Sequence, residues 1–521
     1  MKPARVFLLL CCLCATATQA QTPTWSSDIA SIIYNNCSSC HRSGGIGPFP
    51  LMSYQDAVNH AMAISAAVTS KSMPPWKPDP TYRHLKDERY LKDAEILKIQ
   101  QWVAASTPSG NLANAPQPPT FPSGSQMQNI DRTVSTLKYT VPVNTDVYRT
   151  YVIHSNYTTD KYLNEIEFVP GNNAVVHHII LYQDPTSFSD SVDKADPAPG
   201  FASNGTEQPS PSVKYICVWA PGAGAYKLPD NMGLRIPAGA DYLIEVHYAP
   251  GSNGQSDSTL INLKYATGPN VRPVFVDAVM DWAPGSRINP ILFLPANQIT
   301  TRKQRFINDV TDYSVISVFP HMHKIGQSYK IFSTNSSDID TTPYVYIPDW
   351  DFHWQGFYTF QKIQKLALNQ HLWGVVVYNN TTSNPDNPNN PPKNVFWGEK
   401  TTDEMMVTFL AYTFYQAGDE NIVLDSAGIK ASVHPELPYA SMAVVYPNPA
   451  GDELTIRWGL PFNPVVEKAS YRICDMYGKE ITAARLTSEY TTIPTTELAS
   501  GIYFITITGN TGKQVLRLVR E

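Results

Sequence analysis

The sequence predicts a multidomain, mainly β chain. A small all-α domain stands at the N-terminus, antiparallel β-sandwiches fill the middle and a small Ig-like β-sandwich closes the chain. Three observations predict this. At 521 residues the chain is too long for a single hydrophobic core. Its 43 Pro, 28 Gly and 11% aromatics, against only 16% charged residues, suit strands joined by turns better than helical bundles. Short β-branched and aromatic runs recur between Gly, Asn, Asp and Pro: VYRTYVIH, AVVHHIILY, YLIEVHYAP, YSVISVFPHMH, LWGVVVY and MMVTFLAYTFY. A formal charge of −6, with no Lys/Arg run, leaves no nucleic-acid footprint.

Residues 1–20, MKPARVFLLLCCLCATATQA, have a basic start, an apolar stretch and a small-residue exit at Ala20, the pattern of a secretory signal peptide. Cys11, Cys12 and Cys14 lie within it, and none follows the small residue that a lipid-anchor signal requires. No later stretch is apolar for long enough to span a bilayer as a helix. An exported protein is expected. The remaining cysteines are Cys37, Cys40, Cys217 and Cys474. Export permits disulfides, but Cys217 and Cys474 fall in different expected domains, and Cys37 with Cys40 has a better use.

Residues 22–111 read as the α-domain. Ile29, Ile32 and Ile33 repeat at helical spacing ahead of YNNCSSCHRSGG. DAEILKIQQWVAAS reads as an amphipathic helix with Asp93 as its cap and Ile96, Ile99 and Val103 on one face. The C-x-x-C-H within this segment is the attachment signature of a c-type heme. Two thiols so spaced on a helical turn can each add to a heme vinyl group, and His41 then faces the iron as proximal ligand. A redox dithiol is the competing use of the same spacing. In the loop SMPPWKP, two prolines fix the backbone and present the Met73 thioether, an axial ligand type that raises the reduction potential. Met52, Met62, His60 and His84 are alternatives to Met73. On C-x-x-C-H and SMPPWKP the segment resembles a small class I cytochrome c. The resemblance implies one covalently bound heme c, attached at Cys37 and Cys40 with His41 and Met73 on the iron.

Residues 112–127, NLANAPQPPTFPSGSQ, read as a semi-extended linker that tethers this domain flexibly. The histidines of the β-rich region beyond it are not scattered. His177 and His178 are adjacent, His247 lies in EVHY, His321 and His323 stand in SVFPHMHKIG, and Met405 lies in TTDEMMVTF. On an extended chain residues i and i+2 project to one side, so His321 and His323 share a face, either solvated or half of a metal site. His177 and His178, being adjacent, need a bulge or a strand end to do the same. Leaving such a ring buried and unpaired costs roughly a few kcal/mol. Imidazoles joined by a thioether suit copper, which moves between Cu(I) and Cu(II).

The order HH, VHY, H-x-H, DEM resembles the ligand order of the type II copper, ascorbate-dependent monooxygenases, which include peptidylglycine α-hydroxylating and dopamine β-monooxygenases. The resemblance covers roughly residues 130 to 420. It implies two jelly-roll-like sandwiches, 128–272 and 273–437, facing each other across a wet cleft with one copper ion each. His177, His178 and His247 would hold the electron-storing copper. His321, His323 and Met405 would hold the oxygen-binding copper and form the catalytic centre. The reaction implied is hydroxylation of a C–H bond of a small molecule by O₂, with two external electrons.

Departures from the family pattern refine this. Cys217 is the only cysteine between residues 130 and 437, where family members of eukaryotic secretory pathways are disulfide-rich. The peptide-amidating branch clamps a substrate carboxylate with Arg two residues before H-x-H, and has Asn and Tyr two and four residues after the ligand Met. This chain has Phe319, Val407 and Phe409 there. A neutral or aromatic substrate is expected. The tethered heme further implies that electrons arrive singly from an external one-electron donor through the heme, in place of ascorbate. Two non-enzymatic readings compete: a surface heme and copper protein for electron transfer or copper sequestration, and a glycan-binding adhesin.

From residue 440 to 521 the text changes to YPNPAGDELTI, DMYGKEI and GIYFITI, with the turn GNTGK and a final basic strand. An ordinary Ig-like module would give the same strands, but the YPNP start and the C-terminal position resemble the type IX secretion sorting domain of Bacteroidetes. That implies recognition by the type IX machinery, passage across the outer membrane to the surface or medium, and no catalytic residue in the tail.

Overall fold

The computed structural model describes residues 22–43, 45–121, 125–203, 210, 212–281, 291–398, 400–425, 443–446, 448–458, 468–475, 479–488, 490–509 and 512–520. The signal-peptide segment and the centre of the GNTGK turn lie outside them. The fold is mainly β, with a small helical segment, as its composition predicts. Two compact units form. One runs to Ile331 and includes Tyr344–Leu368 and Trp373–Asp425; the other holds Phe332–Pro343, Asn369–Leu372 and the C-terminal segment. Among the described residues no helix is long and apolar enough to cross a membrane.

In the first unit, a π-helical turn, Trp25–Ile29, runs into α1, Ala30–Asn36, which delivers Cys37; α2, Tyr54–Asn59, α3, Ala61–Thr69, and α4, Asp93–Ala104, follow. Ile29, Ile33, Ile99 and Trp102 are fully buried in one cluster. Two details of α4 correct the sequence pattern. Lys92, not Asp93, holds the N-cap position, and the Glu95 carboxylate accepts its backbone N–H at 2.8 Å. Asp93 sits in the first turn, where a negative charge complements the free N–H groups, and meets Lys71 at 3.3 Å. Trp102 rather than Val103 takes the core position, because its larger ring covers more apolar surface while its Nε1 donates to the Pro108 carbonyl at 3.1 Å.

This helical segment docks onto the β-region, which a freely flexible tether would not require. Asp79 N donates to Tyr346 O at 2.7 Å, Lys86 N donates to Thr359 O at 2.8 Å, and Leu85 bridges to Phe360. Strand Tyr358–Leu366 ends its sheet, so its outer backbone groups need partners and residues 85–86 provide them. On the linker, the Arg42 guanidinium lies 4.6 Å from the Phe121 ring centre.

A five-stranded sheet runs Phe201–Ala202, Val147–Ile153, Asp241–Tyr248, Val176–Asp184, Lys214–Trp219. A nine-stranded sheet carries, in order, Arg132–Ser135, Leu260–Tyr265, Lys161–Val169, Met232–Ile236, Arg272–Asp281, Val407–Phe414, Tyr313–His321 and Tyr358–Leu366, with Tyr226–Lys227 paired beside Lys161–Val169. The sandwiches therefore share a sheet instead of standing apart. Arg272–Val274 pairs in parallel with Met232–Leu234, so residues 272 and 273 fall inside one strand, and joining the two halves there removes two open edges. Tyr329 donates its hydroxyl to Val407 O at 3.0 Å and Tyr378 donates to Met405 O at 2.6 Å, holding their strands against the one that follows Met405.

The second unit contains the expected small sandwich. Ala443–Tyr446, Glu453–Trp458 and Tyr490–Pro494 form one sheet; Glu480–Arg485, Ser470–Asp475, Gly501–Gly509 and Gly512–Arg520 form the other. Leu454, Ile456, Ile473, Ile505 and Leu518 are buried together in its core.

Candidate metal centres

His177, His178 and His247 come together through a bulge. Strand Val176–Asp184 pairs His178 with His247 and Val176 with Tyr248, so His177 is the extra residue. The irregularity turns both adjacent imidazoles to one side, and one nitrogen from each of the three rings lies within 4.8 Å of the others. Nδ1 of His178 is 3.2 Å from Nδ1 of His177 and 3.3 Å from Nδ1 of His247. Nitrogens bound about 2.0 Å from one tetrahedral ion are themselves about 3.3 Å apart. The spacing fits a metal.

Protonation fits as well. Burial, reinforced by His247 and His353 nearby, pushes His177 down to about 3, and burial lowers His178 and His247 too. All three rings are thus neutral, the form that binds metal. Nε2 of His247 donates to Asp146 Oδ1 at 2.7 Å, which leaves Nδ1 with its lone pair toward the cluster. Tyr148 stacks on His247 with ring centres 4.1 Å apart.

The second cluster sits at the end of strand Tyr313–His321. His321 and His323 are buried with ring centres 5.2 Å apart. Nδ1 of His321 donates to Gln355 Oε1 at 2.7 Å, which leaves its Nε2 free, and Nδ1 of His323 donates to Asp403 O at 3.1 Å. The His321 Nε2 is buried without a hydrogen-bond partner. Such an atom carries a desolvation cost that a bound ion removes. Met405 is buried two residues before Val407, the strand partner of His321. Glu404 ties the group together: its carboxylate accepts the N–H of His323 at 2.9 Å, Ile325 at 2.9 Å and Met405 at 3.2 Å. Burial pushes the Glu404 carboxyl up to about 8, against the pull of those three donors.

One cavity of about 510 Å³ is lined by His177, His178, His321, His323 and Met405. Phe319, Phe409, Tyr215 and Val276 give it an apolar wall, while Lys214, Asp277 and Asp281 supply polar groups. His247 lies outside that lining, with its ring centre 4.7 Å from that of His177 and 4.8 Å from that of His178. The region therefore has five of the six candidate copper ligands on a single wall system, with the sixth bonded to Asp146.

In the N-terminal segment, Nδ1 of His41 lies 3.1 Å from Phe49 O, which leaves Nε2 as the nitrogen that could ligate a metal. A Cβ at Gly47 would come within 2.7 Å of the His41 ring, which explains the glycine in this close turn. Cys37 and Cys40 are free thiols, and burial pushes Cys37 up to about 12. Two unpaired thiols three residues apart, and a histidine with Nδ1 engaged, are the groups that a covalently attached heme would need. Among the alternatives to Met73, the His60 ring stacks on Phe49 with ring centres 3.8 Å apart. His84 pairs with Glu88 at 3.0 Å and Met62 is 76% exposed. Met73 is 37% exposed, and no described contact joins it to His41.

Residues 133–254 match the family described as copper type II ascorbate-dependent monooxygenase, N-terminal domain. The chain carries a copper type II monooxygenase-like domain. That match implies copper binding and an oxidoreductase family for this domain. Residues 444–521 match the secretion system C-terminal sorting domain. That domain marks the chain for export to the cell surface or beyond and implies contact with the type IX machinery.

Among solved structures, PorZ of Porphyromonas gingivalis, described as a bacterial surface component of the type-IX secretion system, is 21% identical at a TM-score of 0.14. The match covers 21% of this chain and only 14% of PorZ. PNGase F, a glycosylasparaginase from Flavobacterium meningosepticum, is 12% identical at a TM-score of 0.23, over 55% of this chain and 97% of its own. Likenesses this low bear on neither fold nor function.

The sequence pattern missed Asp146, His353, Gln355 and Glu404. Glu404 stood in view inside DEM, but its role depends on backbone groups 81 and 79 residues away in the chain. Gln355 lies in an irregular loop and has no local signature.

Proposed function

We propose that this chain is an exported copper monooxygenase that hydroxylates a C–H bond of a small neutral or aromatic substrate with O₂, using electrons relayed by its own covalently bound heme c. The observation that carries the reading is the convergence of two neutral imidazole clusters on one cavity, with nitrogens 3.2 and 3.3 Å apart in one and an unpartnered buried Nε2 in the other. Copper, when bound, supplies the one-electron steps with O₂ that place one oxygen atom in the substrate and reduce the other to water with two electrons and two protons.

The chain's own residues do the rest. His177, His178 and His247 would hold the electron-storing copper, with Asp146 fixing the His247 tautomer. His321, His323 and Met405 would hold the oxygen copper, with Gln355 and Asp403 O engaging the two Nδ1 atoms and Glu404 bonding the backbone N–H groups of His323 and Met405. Phe319 and Phe409 orient an apolar substrate and exclude water from the wall nearest the H-x-H pair. In the N-terminal segment, Cys37 and Cys40 would anchor a heme, with His41 and Met73 as ligands to its iron.

Two measurements test the reading. Purified protein should contain two copper ions and one heme per chain. With a panel of small aromatic and aliphatic compounds, it should consume O₂ in step with hydroxylated product. Copper and heme without substrate-dependent O₂ uptake would instead make it an electron-transfer or copper-binding surface protein.

A further inference from the structure

We propose that Gln355 is a positioning residue through which electrons from the heme segment enter the cavity, and that they enter at His321 and not at the His177–His178–His247 cluster. The inference rests on the heme-relay reading above. Gln355 is held at both ends of its amide: Oε1 accepts from His321 Nδ1 at 2.7 Å, and Nε2 donates to Phe352 O at 2.7 Å. The amide orientation is thereby fixed, which fixes the His321 proton on Nδ1 and leaves the buried lone pair of Nε2 for a metal ion.

Gln355 also faces the other way. Besides the main cavity, it lines a separate groove of about 150 Å³ whose walls include Pro75 and Trp76 of the SMPPWKP loop, Arg89, and the turn Ala223–Ala225. Gly222 precedes that turn, and a Cβ placed on it would lie 3.3 Å from Cys40 Sγ, so a heme attachment thiol adjoins this wall. Val218 and Ala220 line both spaces as well, but their side chains carry no polar group to bond a ligand. Gln355 therefore links the heme-side groove to a copper ligand by a single side chain and one hydrogen bond. Nearby anchors keep the junction in register: Lys77 meets Asp351 at 3.3 Å, and Trp76 packs edge-on against Tyr358 at 5.8 Å.

The rival route ends at the other cluster. Lys77 bonds Asp351, Asp351 bonds His353 at 3.1 Å, and the His353 ring stands 5.3 Å from that of His177. Its last step is a ring-edge contact, a poorer electronic connection than a short hydrogen bond to a ligating ring. Each transfer moves one electron: Fe(II) becomes Fe(III) as Cu(II) becomes Cu(I), and an external one-electron donor restores Fe(II).

The test uses the oxidised full chain with heme and both coppers. A photogenerated flavin semiquinone reduces the heme, absorbance follows heme reoxidation, and freeze-quench EPR reports which Cu(II) signal disappears first. The signal of the copper at His321, His323 and Met405 should go first. Gln355→Leu should slow heme reoxidation by about tenfold or more, whereas Gln355→Glu, which keeps an acceptor, should restore most of the rate. In copper-free protein, ¹⁵N NMR should find His321 protonated at Nδ1, with the tautomers mixed in Gln355→Leu. A wild-type rate in Gln355→Leu, earlier loss of the other copper signal, or slowing by His353→Phe alone would overturn the proposal. A wild-type heme that stays reduced beside oxidised copper would instead refute the relay itself.

Discussion

Asp146 and His247 form a carboxylate–imidazole pair at 2.7 Å, 101 residues apart in sequence, that aims one histidine nitrogen at two others. The His247 hydrogen bond holds Asp146 below the usual carboxylate range, so the pair stays oriented across neutral pH. Partners of this kind set copper affinity: Asp146→Asn should weaken binding at one of the two copper sites by about 10–100-fold. Competition titration with a chelator of known affinity measures it, and the second site should be unaffected.

His321→Ala should cut copper content from two ions per chain to one while heme content stays constant. The proposed heme residues Cys37, Cys40, His41 and Met73 lie in turns and bends of the N-terminal segment, distant in sequence from His321. Metal analysis combined with the heme absorbance band gives both numbers on one sample.

Phe319→Arg should shift the cavity toward substrates bearing a carboxylate. Phe319 lines the cavity with its ring centre 6.1 Å from that of His321, and a guanidinium there offers a bidentate partner where an apolar wall stood. Comparing kcat/KM for a matched pair of neutral and acidic compounds reads the change. The neutral compound should lose and the acid gain.

The shared sheet rests on a buried ion pair. Arg272 donates to both Asp419 carboxylate oxygens at 2.7 Å, and Ser314 donates to the same group at 2.6 Å. Arg272→Ala should destabilise the first unit by about 3–5 kcal/mol, because it strands a buried carboxylate. Denaturant midpoints check it. Burial works to raise the Asp419 pKa, but Arg272 and Ser314 outweigh it and hold the carboxyl below its ordinary value. The contribution is therefore full above the unfolded carboxylate pKa of about 3.9 and is lost as pH falls through the lower folded value. The stability gap between wild type and variant should narrow in acid.

Removing the chain beyond residue 440 should leave copper and heme content unchanged while abolishing export across the outer membrane. The tail has its own core and supplies none of the candidate ligands. Cell fractionation together with metal analysis of the retained protein tests both halves of the expectation.

Much of this was legible before any coordinates. Ile29, Ile33 and Ile99 carried helical spacing because a helix must bury one stripe, and they are buried. The need for a bulge at His177 and His178 followed from strand alternation alone, and the register with His247 contains one. The N-cap of α4 was misread because Asp93 suits a cap in isolation, while Glu95 reaching back to Lys92 N decides the matter.

The sequence by itself determined the residue types and their order: C-x-x-C-H, the paired and spaced histidines, the ligand-type methionine and the C-terminal strands. Those are local patterns, set by periodicity and by the chemistry of single side chains. Only the tertiary structure decided that His321 Nε2 is free, that residues of both clusters line one cavity, that the sandwiches share a sheet, and that Gln355 stands between His321 and a groove walled by Pro75 and Trp76. Each of these depends on groups brought together from distant parts of the chain, and hydrogen-bond direction and burial exist only once the chain has packed.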